Sequence, residues 1–135
     1  TALNLPKDLA ERVSLVIVEA PFDTLENVMK SSSWVPNAGL WLLKNVATYT
    51  PEAYTFPETT HLNCPIAFVT SKKDTRVPQH HTLTLFEQVK LRYPQIETYH
   101  LELQNSHHSL MPYGDAEDQA AYLRFVEELY DRYCQ

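Results

Sequence analysis

The chain has 135 residues, 44% of them apolar and 21% charged, with a formal net charge of −6 at pH 7. That is enough chain and apolar content to bury a core in a single domain, residues 1–135, and it excludes the polar, highly charged composition of disordered chains. The acidic balance, with no Lys/Arg-rich run, weighs against nucleic acid or an anionic membrane surface as a partner.

In chain order, Asp8 to Arg12 carries helix formers after Pro6, and Val13 to Val18 is a β-branched apolar run of the kind a doubly covered parallel strand shows. Pro21 stops that strand, Asp23 or Thr24 can cap a helix, and Leu25 to Lys30 reads as a short helix before three serines. Residues 31–62 are rich in aromatics and prolines, with one helix expected over Leu40 to Val46, and read as an irregular cap-like excursion. Pro65 to Thr70 is a second buried strand, closed by the polar turn Ser71-Lys72-Lys73-Asp74.

Gln79 to Tyr93 is expected to be an amphipathic helix with Leu83, Leu85, Phe86, Val89 and Leu91 as its apolar stripe, ended by Pro94. Ile96 to Leu103 alternates apolar with polar, as a half-exposed strand near a sheet edge does. The loop Gln104 to Tyr113 leads to a last helix, Asp115 to Tyr133, with Ala116, Ala120, Leu123, Phe125, Val126, Leu129 and Tyr130 near helical spacing. Strand, helix, strand, helix, strand, helix is the alternation of a doubly wound α/β sheet with about three parallel strands, and so short a parallel sheet leaves a long edge that something is expected to cover.

No apolar run reaches the roughly 20 residues a bilayer span needs, and Thr1 to Ala10 lacks the layout of a signal peptide. Cys64 and Cys134 form no C-x-x-C pair, so neither a zinc knuckle nor a disulfide framework is expected, and the cytoplasm is favoured as the compartment.

In open parallel sheets the chemistry gathers at the carboxyl ends of the strands. The three such turns hold Glu19 to Asp23, Ser71 to Pro78, and Asn105 to Ser109. An acid after one strand and a histidine after the next is the order in which the last two members of a Ser…Asp…His triad occur, the imidazole taking the serine proton and the carboxylate orienting it.

At these residues the sequence resembles the α/β-hydrolase superfamily, from the strand that follows the nucleophile helix to the C-terminus. Leu15 to Phe22 looks like that strand, and Asn63 to Pro78, with its Asp-x-x-Val-Pro ending, looks like the strand and acid turn. The stretch Ala20 to Thr24 is similar to the serine-hydrolase branch that includes BEM46-like proteins, and Asp74 to Pro78 is similar to prolyl-oligopeptidase-type peptidases. The resemblance implies Asp74 as triad acid, His107 as base with His108 as its rival, an ester or peptide carbonyl as substrate, and no cofactor. It departs from the family in two places. No Gly-x-Ser-x-Gly elbow exists, since neither Gly39 nor Gly114 has a serine two residues away. Ser71 and Ser106 also stand where the family often has glycine. The nucleophile is therefore expected upstream of Thr1, in a missing N-terminal half, and the chain alone is expected to be inactive.

Other readings bear on the same residues. Asp74 can be a turn residue only. His80-His81 and His107-His108 could be imagined as metal ligands, but the spacing lacks His-x-x-x-His and no metal is expected. Phe22, Trp34 and Trp41 are candidate substrate-contacting side chains, the cap aromatics packing on one another being the other explanation. A non-catalytic, hydrolase-derived module that binds a partner through the exposed sheet edge, by strand addition or by pairing with a homodimer partner, is the rival functional class. A flavodoxin-like domain would need a Gly-rich phosphate loop, which the sequence lacks.

Overall fold

The computed structural model describes residues 2–21, 59–108 and 113–135. A short 3-10 turn at Ala2–Asn4 leads into α1 (Lys7–Ala10), β1 (Val16–Glu19), β2 (Ile66–Ser71), α2 (Gln79–Arg92), β3 (Thr98–Leu103) and α3 (Ala116–Tyr133). The helices expected at Leu25 to Lys30 and Leu40 to Val46, and all of the cap-like excursion except 59–62, lie outside the described residues.

The described strands form one parallel sheet in the order β1-β2-β3. Val16 is paired with Ile66 and Glu19 with Val69 on one side of β2; Ile66 is paired with Thr98 and Ser71 with Leu103 on the other. Every residue of β2 is buried, as its continuous apolar run implies for a central strand covered on both faces. β1 starts at Val16 rather than Val13 because strand geometry needs a partner: the Val13 amide closes the α1 turn on Ala10, and Val16 is where the chain first bonds to Pro65. β3 likewise starts two residues late, since the Ile96 amide turns back to Tyr93 while Ile96 itself fills the core.

Alternation along the strands divides the core in two. Ile66 and Phe68 point with Val16 and Val18 to the face covered by α1 and α2, where Val89, Tyr93 and Ile96 pack. Val69 and Leu103 point with Ile17 and Leu101 to the opposite face, which Ala121, Tyr122 and Phe125 of α3 cover.

The expected stripe of α2 faces the core except at Leu91, whereas α3 is turned away from much of its expected stripe. On α2 the buried positions are His81, Thr82 and Val89, with Leu85 and Phe86 packed alongside, whereas Leu91 is 86% exposed because it lies about 200° around the helix from Val89. On α3 the inner face is Asp118, Ala121, Tyr122, Phe125 and Leu129. Ala116, Ala120, Leu123 and Tyr130 look outward, Leu123 at 51% exposure and Tyr130 at 58%. A carboxylate thus takes the place in the inward stripe that apolar counting gave to its neighbours.

Candidate active site

The three strands end side by side, and their carboxyl-terminal turns bring the candidate residues together. After β1 the chain turns sharply at Ala20, which is buried with φ of +43°, a left-handed conformation uncommon for a residue with a Cβ. Just before it, Glu19 accepts a 2.6 Å hydrogen bond from the Tyr122 phenol of α3. Partial burial, and then the carboxylate beside it, push that phenol up to about 12.

After β2 the Ser71 to Asp74 turn places Asp74 with its side chain only 1% exposed. Its Oδ1 accepts from the backbone amides of Arg76 and Val77, each at 2.9 Å, a local Asx-type arrangement that holds the carboxylate by its own turn. Its Oδ2 lies 2.8 Å from Nδ1 of His108, whose side chain is 27% exposed. An ionised carboxylate can only accept, so the shared proton sits on Nδ1 and the neutral ring keeps its lone pair on Nε2. A buried acid that fixes one ring nitrogen and leaves the other basic is the pairing a histidine general base requires.

The structure therefore joins Asp74 to His108, the rival, and leaves His107, the base preferred from the sequence, exposed in the same loop. Phe22, Trp34, Trp41 and Ser109 lie outside the described residues. Ser71 and Ser106 are both fully buried, and their hydroxyls are committed. The Ser71 hydroxyl donates to the Ser106 carbonyl, and the Ser106 hydroxyl donates at 2.7 Å to Asp118. Neither is placed to attack a substrate. Among the described residues no group of three His, Cys, Asp or Glu could hold a metal ion. His80 and His81 instead lie ring against ring at 4.0 Å where α2 begins.

Asp118 is the residue of this site that sequence reading missed. It is 2% exposed in the first turn of α3, where its own amide is capped at 2.8 Å by the side chain of Asp115. Its Oδ1 accepts from the Gln104 amide at 3.0 Å, and its Oδ2 from the amides of Asn105 and Ser106 at 2.8 and 2.7 Å. Burial by itself would raise its carboxyl, but the Ser106 hydroxyl and the three amides together outweigh burial and hold it below the ordinary carboxylate value. The available signal was an Asp-x-x-Asp at a helix start, the second Asp on the helix face that also carries Tyr122 and Phe125.

No family model matches the sequence, and no curated protein matches it significantly. Solved structures do match in shape. An acylaminoacyl peptidase from Pyrococcus horikoshii superposes with a TM-score of 0.63 at 18% identity, over 87% of this chain and 20% of its own. The carboxylesterase Cest-2923 from Lactobacillus plantarum superposes with a TM-score of 0.60 at 14% identity, over 97% of this chain and 52% of its own. A puromycin-hydrolyzing peptidase from Mycobacterium tuberculosis gives 0.55 at 12% identity, over 86% and 17%. The chain spans about a fifth of the length of the acylaminoacyl peptidases it matches.

Proposed function

Since this chain has the fold of the C-terminal part of an α/β-hydrolase, we propose that it supplies the acid and base of a serine hydrolase acting on an ester or peptide carbonyl. Asp74 is the acid and His108 the base. The nucleophilic serine and the oxyanion hole come from sequence N-terminal to Thr1. Support for that division comes from the absence of a Gly-x-Ser-x-Gly elbow in the sequence and from the small share of the similar peptidases that the chain spans.

The observation that carries the reading is the contact between the buried Asp74 carboxylate and His108 Nδ1 at the carboxyl end of the sheet. In the reaction His108 Nε2 takes the hydroxyl proton as the serine oxygen bonds to the carbonyl carbon, and returns it to the leaving alcohol or amine. Asp74 holds the ring in the productive tautomer and stabilises the imidazolium while it lasts. Water then repeats the cycle on the acyl-serine.

The test is hydrolysis of a p-nitrophenyl ester and of an N-acyl peptide by the full-length protein carrying His108→Ala or His107→Ala. Loss of kcat by about a thousandfold or more in His108→Ala, with His107→Ala within a few-fold of wild type, supports the reading. Equal activity in both variants and wild type removes His108 from the machinery, and selective loss in His107→Ala gives the role to its neighbour.

A further inference from the structure

Residues 104–108, which follow β3 and carry His108, belong to no helix or strand, yet the His108 side chain must meet a carboxylate on a different turn to within hydrogen-bond tolerance. Two connections supply that precision. One runs from α3: four hydrogen bonds from Gln104, Asn105 and Ser106 converge on the single carboxylate of Asp118, so three successive residues are held by one buried group. The other runs from the acid turn: the Ser71 hydroxyl donates to the Ser106 carbonyl and accepts from the Lys73 amide at 3.3 Å, and the Lys72 amide reaches Leu103 at 3.0 Å. Ser106 is the residue common to both, two positions before His108, and it is completely buried.

Its place is also held sterically. A Cβ at Gly114 would fall 2.1 Å from the Ser106 hydroxyl oxygen and 2.7 Å from its Cα, so the loop before α3 presses directly on Ser106 and only glycine permits the approach. A negative charge in the first turn of α3 is further favoured by the helix dipole.

We infer that Asp118 is the positioning residue of the catalytic base: through Ser106 it fixes where His108 stands relative to Asp74, and it acts on the reaction only by way of that geometry. The inference rests on the assignment of His108 as base. Asp118 touches no reacting atom; its effect is on how often the Asp74–His108 hydrogen bond is formed in the productive geometry. A misplacement of the order of 1 Å at such a site lowers turnover by about a hundredfold while leaving substrate contacts elsewhere intact.

The experiment compares Asp118→Asn and Ser106→Ala with wild type in the full-length protein by two readouts. The first is the low-field proton resonance of the His108 Nδ1–H, assigned by its absence in His108→Gln, which needs no turnover. The second is the split between kcat and KM on a p-nitrophenyl ester. The expected result for Asp118→Asn is loss or displacement of the resonance and a fall in kcat of about a hundredfold, with KM within about threefold. Ser106→Ala, which removes one donor and keeps the amides, should give the same changes at smaller amplitude, and it carries the test where Asp118→Asn does not fold.

An unmoved resonance together with kcat within about twofold of wild type in the folded variants overturns the inference, whatever happens to the melting temperature. Should wild type show the resonance but turn over no substrate, the hydrolase reading fails on its own. The resonance in the two variants then still decides whether Asp118 positions His108.

Discussion

His108 Nδ1 stands 2.8 Å from Asp74 Oδ2, although the two residues belong to different turns and are separated by a strand and a helix. The hydrogen bond joins the carboxyl ends of β2 and β3, neighbouring strands of one parallel sheet, so its length follows from the sheet register and from how each turn leaves its strand. Because consecutive side chains leave the backbone in different directions, one carboxylate meets one of the two adjacent histidines.

Asp74→Asn in the full-length protein should lower kcat by about 10⁴-fold, because an amide nitrogen facing Nδ1 favours the wrong imidazole tautomer. The fold should survive, since an Asn oxygen can still accept from the Arg76 and Val77 amides. Steady-state kinetics beside a thermal melt checks both halves, and a kcat within tenfold of wild type would take Asp74 out of the triad.

Gly114→Ala should destabilise the protein by about 1–3 kcal/mol, the usual cost of forcing atoms into a packed site. The added methyl meets Ser106 backbone and hydroxyl, and Ser106 cannot withdraw without breaking its hydrogen bonds to Asp118. Urea denaturation reads this as a lowered midpoint at constant slope. An unchanged midpoint would mean that the loop before α3 yields freely.

His100 on β3 shares a 2.8 Å hydrogen bond with Thr70 and packs against the Phe86 ring. Burial pushes its imidazole below the ordinary value, with Glu102 pulling weakly the other way. The unfolded chain therefore binds the proton more readily than the folded one, so the contribution to stability is complete above about pH 6.5 and is lost as pH falls from there through the depressed folded value. His100→Gln, which does not titrate, should show a shallower decline of stability between about pH 7 and pH 5. Denaturation midpoints at three pH values in that window measure it, and parallel curves for variant and wild type would refute it.

Phe68→Ala should cost about 3–5 kcal/mol, the range for removing a core aromatic. Phe68 is 2% exposed at the centre of β2 and meets Phe86 edge-to-face at a centroid distance of 5.3 Å, so its loss opens a cavity between the sheet and α2. A loss below about 1 kcal/mol by denaturation would show that the sheet and α2 collapse to fill the gap.

The residues legible in the sequence are those whose reasons are local. The clearest among the polar ones is Asp74: its carboxylate is held by amides two and three residues ahead, so a turn motif read in one dimension already contains its geometry. The strand cores, the end of α2 before Pro94 and the parallel sense of the sheet follow equally from composition, period, chain breakers and the strand-helix alternation.

Tertiary structure alone decided which histidine meets Asp74 and which face of α3 turns inward. His107 and His108 are identical in type and adjacent, and nothing in a linear pattern distinguishes their directions. The rotation of α3 depends on Asp118, a polar residue that hydrophobic periodicity counts as outward; it turns inward because Gln104, Asn105 and Ser106 bring four donors to it, the two from Ser106 fully buried and in need of an acceptor. Local bonding and apolar period are written along the chain, whereas the pairing of buried polar groups exists only once distant segments are packed together, and this candidate site is built from that pairing.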